Sequence, residues 1–292
     1  MDTHMLRAFL QVAATGSFSL AADQLLLTQP AVSKRIAALE SDLDVRLFER
    51  LGRRVLLTEA GRALLPKAQH IVREMQESRR LIADLQTEIG GILQVATSHH
   101  IGLHRLPGIL KTYSTRYPQV TLDLQFTDSE AGCQAVIAGK AELAVVTLPQ
   151  IVPAQLAVTP VWDDPLEAMV CASHPVLTAP DIVSAVLALP LIVPEKTTET
   201  RQMIERHFVD AGYLLHIGIE TNYLETIRML VAVGLGWSVL PVSMLNAELT
   251  PLALPGFRFH RQLGVVAHAR RTLSRAAEAF CGLLHQQLQT AQ

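Results

Sequence analysis

The sequence predicts an α/β protein whose N-terminal part is all-helical and is followed by a long helix. Three observations indicate this. Apolar residues between 28 and 43 recur at the spacing of one helix face, and a second, longer repeat runs from residue 64 to 89. Beyond Gly90-Gly91, apolar strands alternate with amphipathic helices. With 292 residues, 49% of them hydrophobic, the chain has room for about two domains with sizeable cores.

Composition limits the classes of protein to consider. The opening residues MDTHMLRAF lack the basic-then-apolar pattern of a signal peptide, and no apolar run is long enough for a bilayer, so we expect a cytoplasmic protein. Cys133, Cys171 and Cys281 are odd in number and widely spaced, which favours reduced thiols over disulfides or a thiolate zinc site. The net charge of −2 does not by itself indicate a nucleic-acid partner.

Residues 28–43, TQPAVSKRIAALESDL, predict an amphipathic helix. Its apolar stripe is Val32, Ile36, Leu39 and Leu43, with Thr28 as the expected N-cap and Asp44 as a left-handed residue at its end. The opposite face is short and mostly hydrogen-bonding, so it allows close approach to another surface. That face consists of Gln29, Pro30, Ser33, Lys34 and Ala37.

Residues 17–26, SFSLAADQLL, predict a shorter helix just before it, with Ser19 as the expected cap. The small Ala21 and Ala22 allow two helices to cross at close range, joined by a turn at Leu27–Thr28. This arrangement is a helix-turn-helix whose second helix is offered to a DNA major groove. Two surface helices of an ordinary bundle remain the alternative from these residues alone.

A helix at Met5–Ala14 precedes this pair, and a short strand at Val55–Leu57 follows it. Arg50, Arg53 and Arg54 form a basic loop between the two, typical of a wing that contacts phosphates or the minor groove. Acidic and basic residues are equal in number over the first sixty positions, so any DNA contact depends on where the basic side chains lie and not on the net charge.

The segment that follows predicts a long dimerisation helix. Thr58 is its expected cap, and Pro66 should set its first turn or kink it. Its apolar positions step by four and three without a break, the period of a coiled coil, over a rod of about 45 Å. A helix lying along its own domain is the alternative, although that would favour a wider stripe. The stripe consists of Leu64, Ala68, Ile71, Met75, Ser78, Ile82, Leu85 and Ile89.

The C-terminal part predicts parallel βαβ units, because apolar strands and helices alternate along it. Asn222 and Glu225 have capping-box spacing for a helix over Tyr223–Val233. The expected strands are Leu93–Ala96, Val120–Phe126, Glu142–Val146, Val161–Ala172, Leu191–Val193, Trp237–Leu240 and Leu263–Ala267, and the expected helices are Leu103–Tyr117, Ala131–Ile137, Asp181–Leu189, Arg201–Ala211 and Arg275–Leu288.

These residues resemble the LysR-type transcriptional regulators over nearly the whole chain. The specific N-terminal pattern is Ser17-Phe18-Ser19, Ala21-Ala22, Thr28-Gln29-Pro30-Ala31-Val32-Ser33, Ile36, Leu39-Glu40, Leu43, Leu47-Phe48, Arg50, Arg54, Leu57-Thr58 and Ala60-Gly61. Looser C-terminal matches include Leu106-Pro107, Tyr117-Pro118, His174-Pro175 and Leu240-Pro241. The departures are Asp44 and Glu142, where the family usually has Gly and Asp.

The resemblance implies a winged helix-turn-helix over residues 1–58, a linker helix over 59–89 and an effector domain over 90–292. That domain would have two lobes like a type 2 periplasmic binding protein, lobe one being 90–161 plus 268–292 and lobe two being 162–267. It also implies that Gln29, Ser33 and Lys34 contact operator DNA, that Arg53 lies in the wing, and that the protein is a dimer of dimers. Double-stranded DNA, a second copy of the chain and RNA polymerase are the implied partners.

A ligand site is expected where Ser98-His99-His100 follows the first strand and opens a helix, a place suited to an anion. Thr147 ends a strand on the same rim, and Thr197 and Asn222 are candidates from the second lobe. We therefore expect a small anionic metabolite between the lobes. The alternative is that each of these residues only caps a helix.

No residue pattern indicates catalysis or a cofactor. His100 and His104 are one helical turn apart, but no cysteine or carboxylate near them in the sequence completes a set, so we predict no metal site. Asp163 and Asp164 would point to opposite faces of a strand, and the chain lacks a Gly-rich phosphate loop or a nucleophile elbow. The alternatives to a regulator are a cytosolic solute-binding protein or enzyme, and a thiol redox sensor using Cys133 or Cys171.

Overall fold

The computed structural model describes residues 2–51, 54–83 and 88–290. These residues form two compact units, one within 1–85 and the other within 86–292. None of the helices in the described ranges has both the length and the apolarity that a bilayer crossing requires. The first unit contains α1 (Thr3–Thr15), α2 (Phe18–Gln24), α3 (Gln29–Leu43), β1 (Phe48–Leu51), β2 (Arg54–Leu57) and α4 (Glu59–Ala83).

Local backbone chemistry sets the helix ends of the first unit. Asp2 caps α1 by accepting a hydrogen bond from the Met5 N–H at 2.8 Å. Ser17, not the predicted Ser19, caps α2, because Ser17 has extended backbone and its hydroxyl accepts from the Leu20 N–H. Ser19 therefore lies inside the first turn of α2. Asp44 ends α3 with φ +53°, the predicted left-handed conformation.

The first three helices pack around one apolar core, as predicted. Ala21 and Ala22 are buried on α2, and Val32, Ile36 and Leu39 are buried on α3. Because the α2 side chains at this contact are methyl groups, α2 and α3 approach closely. The predicted stripe of α3 therefore faces the core, apart from Leu43, which is 36% exposed.

The N-terminal half of α4 belongs to the same core. Thr58 caps α4 as predicted, accepting from the Gly61 N–H at 3.0 Å, whereas Pro66 lies inside the helix and not in its first turn. Ala68 is fully buried within its own protomer, so the prediction that it contacts a partner is wrong. The α4 side chains packed against this core are Leu64, Leu65, Ala68, Ile71 and Val72, the wider stripe of a helix lying along its own domain.

The remaining positions of the predicted dimer stripe have different surroundings. Met75 is half-buried, and its sulfur accepts a hydrogen bond from the Thr3 hydroxyl. Ser78 is exposed, and Ile89 is half-buried and packs against a core of the second unit. Leu85 and the side chain of Ile82 lie outside what the structure describes.

The second unit is an α/β domain. The strands of this unit are β3 (Gly91–Thr97), β4 (Val120–Phe126), β5 (Leu143–Thr147), β6 (Leu156–Cys171), β7 (Leu191–Val193), β8 (Ile217–Glu220), β9 (Ser238–Pro241), β10 (Leu249–Pro251) and β11 (Phe259–His268). One mixed sheet has the strand order β10-β6-β11-β5-β3-β4, with β9 also paired to β6. The strands β7 and β8 form a separate parallel pair.

Parallel pairing of β3 with β4 and β5 confirms the predicted βαβ units, whereas β11 pairs antiparallel with both β5 and β6. The helix predicted over 103–117 is two helices, because Pro107 starts a new one. The helices are α5 (His99–His104), α6 (Pro107–Arg116), α7 (Ser129–Ala138), α8 (Ile182–Leu187), α9 (Glu199–Asp210), α10 (Leu224–Ala232) and α11 (Arg275–Thr290), with short 3-10 turns at Pro175–Thr178 and Val242–Met244.

Two lobes share this sheet, since β6 and β11 run through both. The cores of the first lobe include Leu93, Val145 and Phe280, and those of the second include Val193, Phe208 and Trp237. Each lobe thus has its own apolar interior. The space between the lobes is bordered by the ends of β3 and β5 and by the starts of α5, α7 and α9.

The turn between α2 and α3 stores backbone strain at Leu26, which has φ +55° and a side chain 93% exposed. A leucine in the left-handed conformation costs about 1–2 kcal/mol, and glycine removes that cost. Glycine also gives the unfolded chain more conformational entropy, which lowers the stability of the folded state by about 0.4–1 kcal/mol. We expect Leu26→Gly to raise the free energy of unfolding of the N-terminal core by about 0.5–1 kcal/mol. Native-state hydrogen exchange of the α1 and α3 amides measures this change.

Leu20→Gly is the matched control, because Leu20 is also exposed but lies in right-handed helix. That variant should lose about 1 kcal/mol. Equal destabilisation by both substitutions would contradict the strain at Leu26.

Candidate nucleic-acid interface and ligand cleft

The exposed face of α3 carries the residues that the sequence predicted for DNA contact. Thr28, Gln29, Pro30, Lys34 and Ala37 are exposed, and Ser33 is partly exposed. The Gln29 amide donates to the Ser33 hydroxyl at 2.9 Å, which orders the polar groups of the first two turns. The Thr28 hydroxyl accepts no capping bond from any residue that the structure describes. This face can therefore offer amide, hydroxyl and ammonium groups to base edges and phosphates.

The predicted wing is an antiparallel hairpin of β1 and β2, with Arg50 paired to Val55 and Leu51 paired to Arg54. Arg53 lies outside the described residues, and so do the side chains of Arg50 and Arg54. The hairpin lies next to the turn between α1 and α2, because the Val55 N–H donates to the Gly16 carbonyl at 3.3 Å.

Glu40 ties α3 to the hairpin, a role that sequence reasoning missed. Its carboxylate accepts from the backbone N–H groups of Leu47 at 2.7 Å and Phe48 at 3.3 Å. These two charge-assisted hydrogen bonds hold the start of β1 against α3. Thr58 reinforces the same point by donating its hydroxyl proton to the Arg46 carbonyl at 2.7 Å.

A small cavity of about 50 Å³ lies between the two lobes of the second unit. On this measure it has room for a few water molecules or one small polar ligand. Of the predicted ligand residues, Ser98, His99, His100, Thr147 and Asn222 line it. The other lining residues are Thr127, Asp128, Ser129, Glu130, Pro194, Thr198, Thr200, Leu224 and Arg261.

Thr197 is the predicted ligand residue that does not line this cavity. Its side chain is exposed, whereas its neighbours Thr198 and Thr200 are buried and face the cavity. Thr198 is the N-cap of α9, accepting from the Arg201 N–H at 3.3 Å. Because α9 begins at Glu199, Thr198 occupies its N-cap and faces the cavity, whereas Thr197 lies one residue before it.

Asn222 reaches the cavity but does not cap α10, so its predicted capping-box role is wrong. Tyr223 occupies the N-cap position, because α10 begins at Leu224. The side-chain Oδ1 of Asn222 accepts a hydrogen bond from the Glu195 N–H at 2.9 Å, and its side-chain Nδ2 donates to Asp128 of the first lobe at 3.1 Å. The Asn222 side chain therefore links the two lobes.

Arg261 is the cation of the cavity wall, and no sequence motif pointed to it. Its Nε donates to Asp164 at 2.8 Å, and its Nη1 donates to the Thr200 hydroxyl at 2.8 Å. Asp164 is 1% exposed and also binds Arg105, whereas the Asp163 side chain is 74% exposed. The prediction that these two carboxylates point to opposite sides of β6 is confirmed. Arg261 is thus fixed in place with its guanidinium beside the cavity.

Carboxylates also border the cavity and bear on its charge preference. Glu130 accepts from the Glu199 N–H at 2.8 Å, which places a side chain of the first lobe at the N-terminus of α9. Burial raises the pKa of the Glu130 carboxyl, and the neighbouring Glu199 and Asp128 act in the same direction. The helix α5, which the sequence offered as an anion site, spans only six residues, so its dipole is short.

His100 and His104 meet Glu225 at the edge of the cleft. The Glu225 Oε1 lies 3.3 Å from His100 Nδ1 and 2.9 Å from His104 Nε2. Burial lowers the pKa of the His100 ring, and the nearby Arg261 acts in the same direction. Burial acts to raise the pKa of Glu225, but hydrogen bonds from its own N–H and from His104 and His100 outweigh it and lower the pKa.

This cluster corrects the sequence argument against a metal site. A carboxylate does complete the histidine pair, from a helix more than 120 residues away along the chain. His99 also joins the lobes, because its ring lies 5.5 Å from the ring of Phe126 and 4.8 Å from that of Tyr223. Gly102 allows this packing, since a Cβ there would lie 2.4 Å from the Phe126 ring.

The three thiols are reduced and have different surroundings. Burial raises the pKa of Cys133 and of Cys281 to about 11, so both stay protonated at neutral pH. The Ser173 hydroxyl and N–H lower the pKa of Cys171, which is partly exposed.

Comparison with known proteins gives a family for both units. The family described as "Bacterial regulatory helix-turn-helix protein, lysR family" matches residues 3–62, and "LysR substrate binding domain" matches residues 86–289. One relative, an uncharacterized HTH-type transcriptional regulator in the ibpB-leuC intergenic region of Azotobacter vinelandii, is 63% identical over 107 residues, which are 37% of this chain and 74% of that protein.

A probable RuBisCO transcriptional regulator of Synechocystis sp. (strain ATCC 27184 / PCC 6803 / Kazusa) is 33% identical over 94% of this chain and 83% of its own length. The crystal structure of full-length CbnR complexed with its target DNA shares the fold, with a TM-score of 0.66 and 21% identity over 98% of this chain and 99% of that one. This chain belongs to the LysR family of bacterial transcriptional regulators.

Proposed function

We propose that this regulator inserts the exposed face of α3 into the DNA major groove, with the β1–β2 hairpin against the adjacent backbone. The observation that carries this assignment is the division of α3 into a buried apolar face and an exposed face of amide, hydroxyl and ammonium groups. Lys34 and Gln29 supply the direct contacts, and Arg50, Arg53 and Arg54 contact phosphates. The protein acts in the cytoplasm, the compartment that contains its operator DNA.

Two copies acting together supply the affinity for an operator with two half-sites. A single short helix face reads few base pairs, so a symmetric pair of recognition helices is the physical route to specificity. We assign the pairing to α4 beyond Val72, because the first half of that helix packs in its own domain. A dimer of such dimers fits the family, and contact with RNA polymerase is the route by which the assembly alters transcription.

A small carboxylate-bearing metabolite held between the lobes is the proposed effector. Arg261 supplies the positive charge, and the hydroxyls of Ser98, Thr147 and Thr200 supply hydrogen bonds. Such a ligand shifts transcription only if it favours one arrangement of the lobes over the other. The protein acts by binding and not by catalysis, since its relatives are regulators and its cavity chemistry suits recognition.

We expect Lys34→Ala to weaken operator binding by about 1–3 kcal/mol, since an exposed ammonium on the recognition helix is lost. Gel-shift titration with the DNA upstream of the protein's own gene measures the change. Lys111→Ala is the matched control, because Lys111 is an exposed lysine of the second unit. An unchanged operator affinity for Lys34→Ala would exclude Lys34 from the interface.

We expect Ser98→Ala to weaken effector binding about fivefold, because one hydrogen bond of about 1 kcal/mol is lost from the cavity wall. Calorimetry against the small carboxylate that raises the melting temperature most in a screen measures it. Thr197→Ala is the control, since Thr197 is exposed and lies outside the cavity. Equal affinities for Ser98→Ala and the wild type would remove Ser98 from the site.

We expect a thiol-directed alkylating reagent to modify Cys171 first in the native protein and to leave Cys133 unmodified. With a pKa of about 11, Cys133 is thiolate in only about one molecule in ten thousand at neutral pH. Mass spectrometry of peptides from native and unfolded samples measures this order. Fast alkylation of Cys133 would favour the redox-sensor alternative.

A further inference from the structure

The cluster of His100, His104 and Glu225 lies outside the proposed DNA interface and is not used by the effector argument. His100 and His104 are one turn apart on α5 of the first lobe, so both rings face the same side of that helix. Glu225 is in the first turn of α10 in the second lobe. The two ring centroids are 4.8 Å apart.

The separations, which are those of hydrogen bonds, are also close to those of ligands around one metal ion. Both rings approach the same carboxylate oxygen, at 3.3 and 2.9 Å, and no ligand atom of the three lies more than 4.8 Å from another. In a tetrahedral zinc site with bonds of about 2.1 Å, ligand atoms lie about 3.4 Å apart. The three side chains therefore need only a small rearrangement to surround one ion.

The chemistry and access of the cluster agree with this geometry. Two imidazoles and one carboxylate form the donor set of open-site zinc and non-haem iron centres, in which a water or substrate takes the remaining position. The His104 side chain is 47% exposed and that of Glu225 is 30% exposed, so an ion can enter from solvent. The His100 side chain is only 4% exposed, so the residues packed around it hold its ring on the buried side of the cluster.

The two ring nitrogens of His100 have different surroundings. The Nδ1 atom faces the Glu225 carboxylate, whereas the buried Nε2 atom has no hydrogen-bond partner among the residues that the structure describes. A metal on Nδ1 would fix the proton on Nε2, which leaves an N–H donor beside the ligand cavity that His100 also lines.

We propose that His100, His104 and Glu225 bind one divalent transition-metal ion of the zinc type, which ties α5 to α10 across the cleft. The ion joins the two lobes, so its binding favours the closed arrangement of the cleft. The proposal depends on neither the identity of the effector nor the mode of DNA binding.

Calorimetric titration of the chelator-treated full-length protein with ZnCl₂ tests the site. We expect one high-affinity equivalent per chain. His104→Ala and Glu225→Gln should each weaken that affinity at least about tenfold, which is the lower bound for losing even a supporting partner of a metal ligand. His260→Ala is the matched control, because His260 is an exposed histidine 3.3 Å from the Asp163 carboxylate and should leave zinc affinity unchanged.

Two further measurements separate this site from binding by thiols and from simple misfolding. Co²⁺ bound here should give visible absorption bands without the strong near-ultraviolet band of cobalt–thiolate bonds. Metal should slow hydrogen exchange at the α5 and α10 amides in the wild type but not in Glu225→Gln, which keeps the side-chain shape. Absence of a stoichiometric zinc site, or an affinity unchanged in both variants, would overturn the proposal. A thiolate band with Co²⁺ would overturn it as well.

Discussion

The antiparallel pairing of β6 with β11 is the constraint on which the effector domain depends. These two strands run through both lobes, and their backbone ladder cannot be broken without unfolding the domain. The lobes are therefore permanently joined at the sheet. What can change is how their side chains meet across the cleft. Arg261 and Asp164 lie opposite each other on this pair of strands, so the cation of the cavity is fixed to the shared scaffold.

A different constraint sets the DNA-binding unit, namely the close packing of α2 and α3. The small buried side chains of Ala21 and Ala22 let α2 and α3 approach closely, and this packing holds α3 against its neighbours. Glu40 and Thr58 then fix the hairpin by hydrogen bonds to backbone groups near the start of β1. The exposed polar face of α3 and the wing are held in register by the buried residues between them, which is what recognition of a fixed DNA groove requires.

Local sequence patterns predicted most elements, because burial period and helix ends depend on neighbouring residues. The recognition helix, the hairpin position, the left-handed Asp44 and five of the fourteen cavity residues follow from such patterns. Ser19 was wrong as a cap by two residues in where α2 begins, and Thr197 lies one residue before the Thr198 that lines the cavity. Asn222 was assigned to a helix end, although its amide reaches Asp128, 94 residues earlier in the chain.

Long-range partners could not be predicted from spacing. Glu225 joins His100 and His104 over more than 120 residues, and Arg261 joins Asp164 over 97 residues. Ala68 failed for another reason: a 4-3 repeat is the same whether the helix packs on a second copy or on its own domain. The wider stripe that includes Leu65 and Val72 distinguishes packing on the same domain from packing on a second copy. The full set of apolar residues on α4 was the sequence signal that could have shown this stripe.

The contacts between the lobes across the cleft are mostly polar, and this determines how the domain can respond to a ligand. Besides the contact of the His99 and Tyr223 rings, they include the hydrogen bonds from Asn222 to Asp128, from the Glu199 N–H to Glu130, from Arg206 to Gln150, and from the histidines to Glu225. Each contributes about 0.5–1.5 kcal/mol, so together they amount to a few kcal/mol. Coupling between sites is commonly about 1–3 kcal/mol, which is of the same size. A small ligand or a single ion that strengthens or replaces one of these bonds is therefore sufficient to shift the balance between open and closed lobes.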